Sequence, residues 1–183
     1  MKTIRHILTM VGVLALALTT SKASEKKDLD QLRGEVPEAI AIFKAKDSTL
    51  ARFFDKSQGY AVFPRVAKGG LVFGGAGGSG LVYEKGRLIG SASLSQGTFG
   101  AQIGGQVFSE VIFFESAAAL SAFKRSEFSI TAQVSAVAAA EGVSQNVKFQ
   151  NGVAIFTAVK TGLMAEASVG GQKFKYEPLP ESK

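Results

Sequence analysis

The chain has 183 residues, with 21 Lys and Arg against 15 Asp and Glu, no cysteine, no tryptophan and one histidine, His6. With no thiol and one imidazole close to the start, it excludes Cys- or Ser-His catalysis, His/Cys zinc sites and disulfide staples. A formal charge of +6 is too mild for nucleic-acid binding, which calls for a strongly basic face, so no nucleic acid, metal or cofactor is expected.

Lys2 and Arg5 precede an apolar stretch from Ile7 to Leu18, shorter than the roughly 20 residues that span a bilayer. Ser21 and Ala23 follow as small residues, so residues 1–23 read as a secretory signal cleaved near Ala23. Its removal takes away Lys2, Arg5 and Lys22 and leaves 18 basic residues against 15 acidic, a net charge of +3. An exported chain, periplasmic or secreted, is expected, in which any anionic partner is met by a local patch. Residues 24–183 suit a single domain.

From residue 24 to 57 the apolar residues fall at helical spacing, with Leu29, Leu32 and Val36 before Pro37 and Ile40, Phe43, Leu50, Phe53 and Phe54 after it. Pro37 suits a first helical turn and predicts a break between two helices. Asp47-Ser48 predicts the cap of a third, short helix ending near Lys56.

Residues 58–171 are β-like. Glu84-Lys85-Gly86-Arg87 reads as a hairpin turn, and Asn151-Gly152 as a stronger one between Val147-Lys148-Phe149 and Val153-Ala154-Ile155-Phe156. Ser91, Ser93 and Ser95 alternate with Ala92 and Leu94, as in a half-exposed strand. Val107, Val111 and Phe113 share one face of the next strand. Phe108, Ile112 and Phe114 share the other with Glu110, which needs a partner if buried. Ser116 to Lys124 predicts a helix. Phe128–Ala140 and Gly162–Gly170 are small-residue strands, and residues 172–183 read as a fraying tail. The expected class is α+β: a mostly antiparallel barrel or sandwich with N-terminal helices packed on it.

Three chemical motifs fail on context. Gly75-Ala76-Gly77-Gly78-Ser79-Gly80 has the dinucleotide-binding spacing, but a strand follows where a helix is required. Ser121-Ala122-Phe123-Lys124, Ser144-Gln145-Asn146 and Lys160-Thr161-Gly162 reproduce in order the motifs of penicillin-binding enzymes. They are crowded into one short stretch, with Ser121 near the end of its helix, and read as accidental. Glu84, Glu110, Glu115, Glu127, Glu141 and Glu166 show no spacing that singles out a catalytic pair. The chain is not read as an enzyme.

The most informative run is Gly59-Tyr60-Ala61-Val62-Phe63-Pro64, then Lys68 to Gly75 and Gly77 to Tyr83, with glycine at a density that no helix tolerates. With Ser93-Leu94-Ser95-Gln96-Gly97, Phe99 to Gln106, Glu110 to Phe114, Gly162 to Ala165 and Gly170-Gly171, it resembles the SYLF lipid-binding domain, also described as an actin-binding module. The resemblance implies binding of anionic membrane lipid, phosphoinositide in eukaryotic members, partly through an N-terminal amphipathic segment. The expected function is an exported, non-catalytic module on anionic phospholipid or a membrane surface. The alternative is a structural or protein-interaction domain of the cell envelope, with a protein partner and no lipid.

Basic residues near an apolar helical stripe suit an interfacial helix. The expected lipid-binding residues are Lys26, Lys27, Arg33, Lys44 and Lys46 around the first helices, with Arg65 and Lys68 bracketing the Gly-rich strands. Asp28, Asp30, Glu35, Glu38 and Asp47 are interleaved with the helical set, so an ordinary solvated face is the competing reading. Arg65 and Lys68 have no acidic neighbour in sequence.

Overall fold

The structure, a computed structural model, describes residues 27–71, 73–126, 129–130, 137–138 and 140–179. The signal-like segment and Lys26 lie outside the described residues.

Residues 27–46 form one helix, α1, which runs through Pro37 without the expected break. Proline in a helix interior costs about 3 kcal/mol. Leu32, Val36, Ala39 and Phe43, at 3–4 spacing, are all buried, and a large buried side chain contributes about 1.5–3 kcal/mol, so the stripe outweighs the proline. Asp47 then caps a 3₁₀ turn, Ser48–Leu50, that leads into α2, Ala51–Lys56.

The strands are β1 (Gly59–Gly70), β2 (Phe73–Glu84), β3 (Arg87–Phe114), β4 (Ser129–Ile130), β5 (Val137–Ala138) and β6 (Val153–Pro178), with helix α3 (Ala117–Lys124) after β3. They nest. β1 and β2 form a central hairpin, and β3 pairs with β2 from Arg87 to Phe99, passes the hairpin tip, and returns along β1 from Gly104 to Phe114. β6 follows β3 all the way, from Val153 opposite Phe114 to Pro178 opposite Gly90. Across the sheet the order is therefore first half of β6, second half of β3, β1, β2, first half of β3, second half of β6. β5 pairs in parallel at Phe156 and Thr157, and β4 antiparallel at Gln172 and Lys173.

This sheet is strongly rolled. Phe63 on β1 and Phe174 on β6 are three strand spacings apart along the ladder, about 14 Å in a flat sheet, yet their ring centroids are 5.7 Å apart. The sheet does not close into a barrel; the α+β class and the helices packed on the sheet are as expected. The concave core gathers Phe63, Leu94, Phe108, Ile112, Phe114 and Phe174 and is covered by Leu120 and Phe123 of α3. The convex face packs Val62, Leu81, Val111, Phe113 and Phe156 against α1 and α2.

Both predicted turns form, Lys85-Gly86 with φ 48° and 76° and Asn151-Gly152 with φ 51° and 78°. The second hairpin stops after one bridge, Gln150 with Val153. Val147–Phe149 is not a strand, because β5 takes the edge of β6 at Phe156. The expected tail is corrected too: Gln172–Pro178 belongs to β6, with Phe174 buried in the concave core. Outside β4 and β5, most of the predicted strand region 128–140 lies beyond the described residues.

The roll brings strands together where side chains have no room. A Cβ at Gly80 would lie 2.4 Å from the Val62 carbonyl oxygen, whereas one at Gly77 would meet nothing closer than 3.7 Å. Gly80→Ala is expected to lose about 3 kcal/mol and Gly77→Ala to change stability by no more than about 0.5 kcal/mol, read from urea midpoints at constant m.

Candidate functional site

The expected lipid-binding residues do not converge. Lys27, Arg33, Lys44 and Lys46 are exposed on α1, but the apolar stripe an interfacial helix would use is spent on the convex core. Arg33 pairs with Asp30 at 3.6 Å, and the Lys44 ammonium lies 5.1 Å over the Phe54 ring. Arg65, without acidic neighbours in sequence, lies 3.4 Å from Glu35 of α1 in space. Lys68 is half-buried, and its charge acts on Glu110.

Beside Arg65, a small cleft is lined by Asp28, Leu32 and Glu35 of α1 with Pro64, Arg65 and Ser79 of the hairpin. Farther toward the hairpin tip, Gly69, Gly75, Gly77, Gly97 and Gly105 leave the sheet smooth. At the tip four large apolar side chains stand out: Leu71 is 64% exposed, Phe73 74%, Phe99 56% and Ile103 64%. Phe73 and Phe99 are cross-strand partners with ring centroids 5.1 Å apart. Through the bend around the tip, β3 stays paired with β6, Gly100 to Ser168 through Ile103 to Ala165. Sequence reasoning missed this quartet. The available signal was its place among glycines, where a strand has no neighbouring bulk to bury against.

Inside the roll lies Glu110, 1% exposed. Its Oε2 accepts a 3.0 Å hydrogen bond from Gln172 Nε2, and Oε1 has no hydrogen bond among the described residues. Burial pushes the carboxyl up to about 7, against the Gln172 bond and the Lys68 charge. The partner that sequence demanded is thus half supplied.

At the opposite end, α2, the turn after β3 and the segment after β5 enclose an open groove of about 570 Å³, lined by Arg52, Phe53, Lys56, Ser57, Glu115, Val147, Lys148 and Phe149. Its floor is pinned. Asp47 accepts from Thr49 N at 2.9 Å and Ser144 N at 2.8 Å, while Arg52 donates to the carbonyls of Ser144 and Gln145. Burial alone would raise Asp47; the bonds from Thr49 and Ser144 outweigh it and hold the carboxyl at about 2. Ser144, from the penicillin-type triplet, is therefore a buried structural residue whose hydroxyl contacts Thr49. Besides Glu110, two more of the glutamates have structural partners: Glu84 pairs with Lys124 at 3.7 Å and Glu141 accepts from the Ser48 hydroxyl at 2.9 Å.

These features define a helix-backed, rolled α+β domain with an apolar end and a basic-aromatic end. Residues 95–177 match the Ysc84 family, described as Las17-binding protein actin regulator, and the chain belongs to that family, the one its SYLF-like segments resemble. Over 169 residues it is 30% identical to Beta cell expansion factor A of Aeromonas veronii, covering 84% of this chain and 63% of that protein. The chain thus spans a little under two thirds of that relative's length.

Glu110 sets a pH dependence. Its folded value of about 7 lies above its ordinary 4.5, so the native state keeps a proton that the unfolded chain releases. The contribution of Glu110 to stability is full below about pH 4.5 and is lost as pH rises through about 7. Glu110→Gln should flatten that slope and exceed the parent above pH 7 by up to about 3 kcal/mol, measured by urea titration at pH 5 and pH 8.

Proposed function

We propose that this chain is an exported, non-catalytic module that binds lipid at membrane surfaces through the tip of its nested arches. The observation that carries the reading is the exposed quartet Leu71, Phe73, Phe99 and Ile103. A fully buried Phe or Leu contributes about 1.5–3 kcal/mol, and in hydrocarbon this gain needs no protein partner. A backbone entering lipid must bring its hydrogen bonds with it, and the pairing of β3 with β6 around the bend supports such entry. Lys68 and Arg65 stand behind the tip, where each basic side chain near an anionic surface adds about 1 kcal/mol. Lys27, Arg33, Lys44 and Lys46 of α1 then act as a remote attraction rather than as a binding face. The family is linked to lipid binding as well as to actin regulation, which supports lipid association without naming a head group.

The chain has no tryptophan, so Phe73→Trp gives a clean reporter. Its emission should shift to the blue on anionic vesicles and be quenched by shallowly brominated lipid. Phe73→Ser with Phe99→Ser should lower vesicle partitioning roughly a hundredfold with circular dichroism unchanged. Arg65→Glu with Lys68→Glu should weaken binding to anionic vesicles, and salt near 1 M, where the Debye length is about 3 Å, should reduce the parent's binding. Undiminished partitioning of the double serine variant would overturn the assignment of the tip.

A further inference from the structure

We infer that the groove at the base is a docking site for an acidic, aromatic-bearing peptide segment of a soluble partner protein. Its lining sets three cations, Arg52, Lys56 and Lys148, against one acid, Glu115, together with the rings of Phe53 and Phe149, whose centroids are 5.5 Å apart. The volume of about 570 Å³ falls in the range of sites that enclose a few side chains. Arg52 is already oriented, donating to two carbonyls and lying 5.0 Å over the Phe53 ring, so a carboxylate meets it without the entropy cost of ordering a free arginine.

The wall of the groove offers backbone as well. Val147 is extended, with φ −76° and ψ 129°, and no backbone hydrogen bond joins Lys148 or Phe149 to the other described residues. β5, not this segment, holds the outer edge of β6 at Phe156. An incoming extended chain can pair with Lys148 and Phe149 as an added strand, with specificity from side chains that alternate between the cations and the rings.

The choice of a soluble partner over a lipid head group rests on the tip reading. β1 runs 12 residues from the groove end to the tip, about 40 Å, or roughly five Debye lengths at physiological salt. With the tip in a membrane, the groove points away from it.

The test uses the full chain and a fluorescein-labelled decapeptide of alternating glutamate and phenylalanine, followed by anisotropy. Lys56→Glu with Lys148→Glu, both exposed, should weaken peptide binding at least about tenfold and leave vesicle partitioning within about twofold. Phe73→Ser with Phe99→Ser should do the reverse, so that failure of the tip and failure of the groove are told apart. Peptide binding should also slow hydrogen exchange at the Lys148 and Phe149 amides. Equal peptide affinity in parent and charge-reversed chains, unchanged exchange at those amides, or preference for soluble inositol hexakisphosphate over the peptide would each overturn the proposal.

Discussion

Everything in this molecule depends on the pairing of β3 with β6, shifted in register only between Val107 and Phe108, as both bend around the β1–β2 hairpin. A 28-residue strand paired with β2 on its way out and β1 on its way back has to roll the sheet, and rolling forces close strand contacts on the concave side. Register shifts between Val62 and Arg65, Phe63 and Val66, Val82 and Tyr83, and Val107 and Phe108 absorb part of the curvature. Glycine absorbs more, as at Gly80. The cost is a lack of side-chain volume near the tip, so both cores lie toward the base and large apolar residues at the tip have nothing to pack against. The exposed quartet follows from the same geometry that needs the glycines.

Asp47 and Glu110 show how depth of burial and local supply of donors together decide ionisation. Asp47 collects backbone and hydroxyl donors from Thr49 and Ser144 and is held at about 2, whereas Glu110 has one side-chain amide and rises to about 7. Both side chains are shielded from water, but Glu110 lies much deeper than Asp47, so depth and the number of hydrogen bonds to the charged form together separate them. Asp47 therefore fixes the shelf that carries the basic groove. Glu110 and Gln172, four strand spacings apart along the ladder, join opposite arms of the roll through one bond, and that bond is the weaker fastening.

Much of the fold was legible because period and turn chemistry are local. Asp47, Ser116, Lys85-Gly86 and Asn151-Gly152 each announce their structure within four residues, and alternation from Phe108 to Phe114 sorted the two cores correctly, with Val107 left half-buried outside both. Pro37 misled because a buried stripe on both sides of it outweighs its propensity, a tertiary effect. The order of strands was out of reach: nothing local in Phe99–Gly104 says that the strand turns back along a different partner. The same gap hid the site. Arg65 looked free until the fold brought Glu35 to it, and Phe73 and Phe99, 26 positions apart in numbering, meet only because the arches nest.

The contrast between α1 and the tip is finally one of what each must give up to meet a bilayer. For α1 to lie in a membrane, Leu32, Val36 and Phe43 have to leave the convex core, a loss of about 5 kcal/mol or more. Hydrocarbon returns about the same amount, because lipid tails are no more apolar than that core. The exchange leaves little net gain, and it exposes Val62, Val111 and Phe113 beneath. Leu71, Phe73, Phe99 and Ile103 face water already, so their transfer is gained in full and the helices stay docked. A domain that keeps its shape on binding also keeps its groove, with Arg52 held by carbonyls at the end away from the tip. On the proposed reading, binding at one end and presentation at the other would be consequences of a single rigid body, with no conformational change required of it.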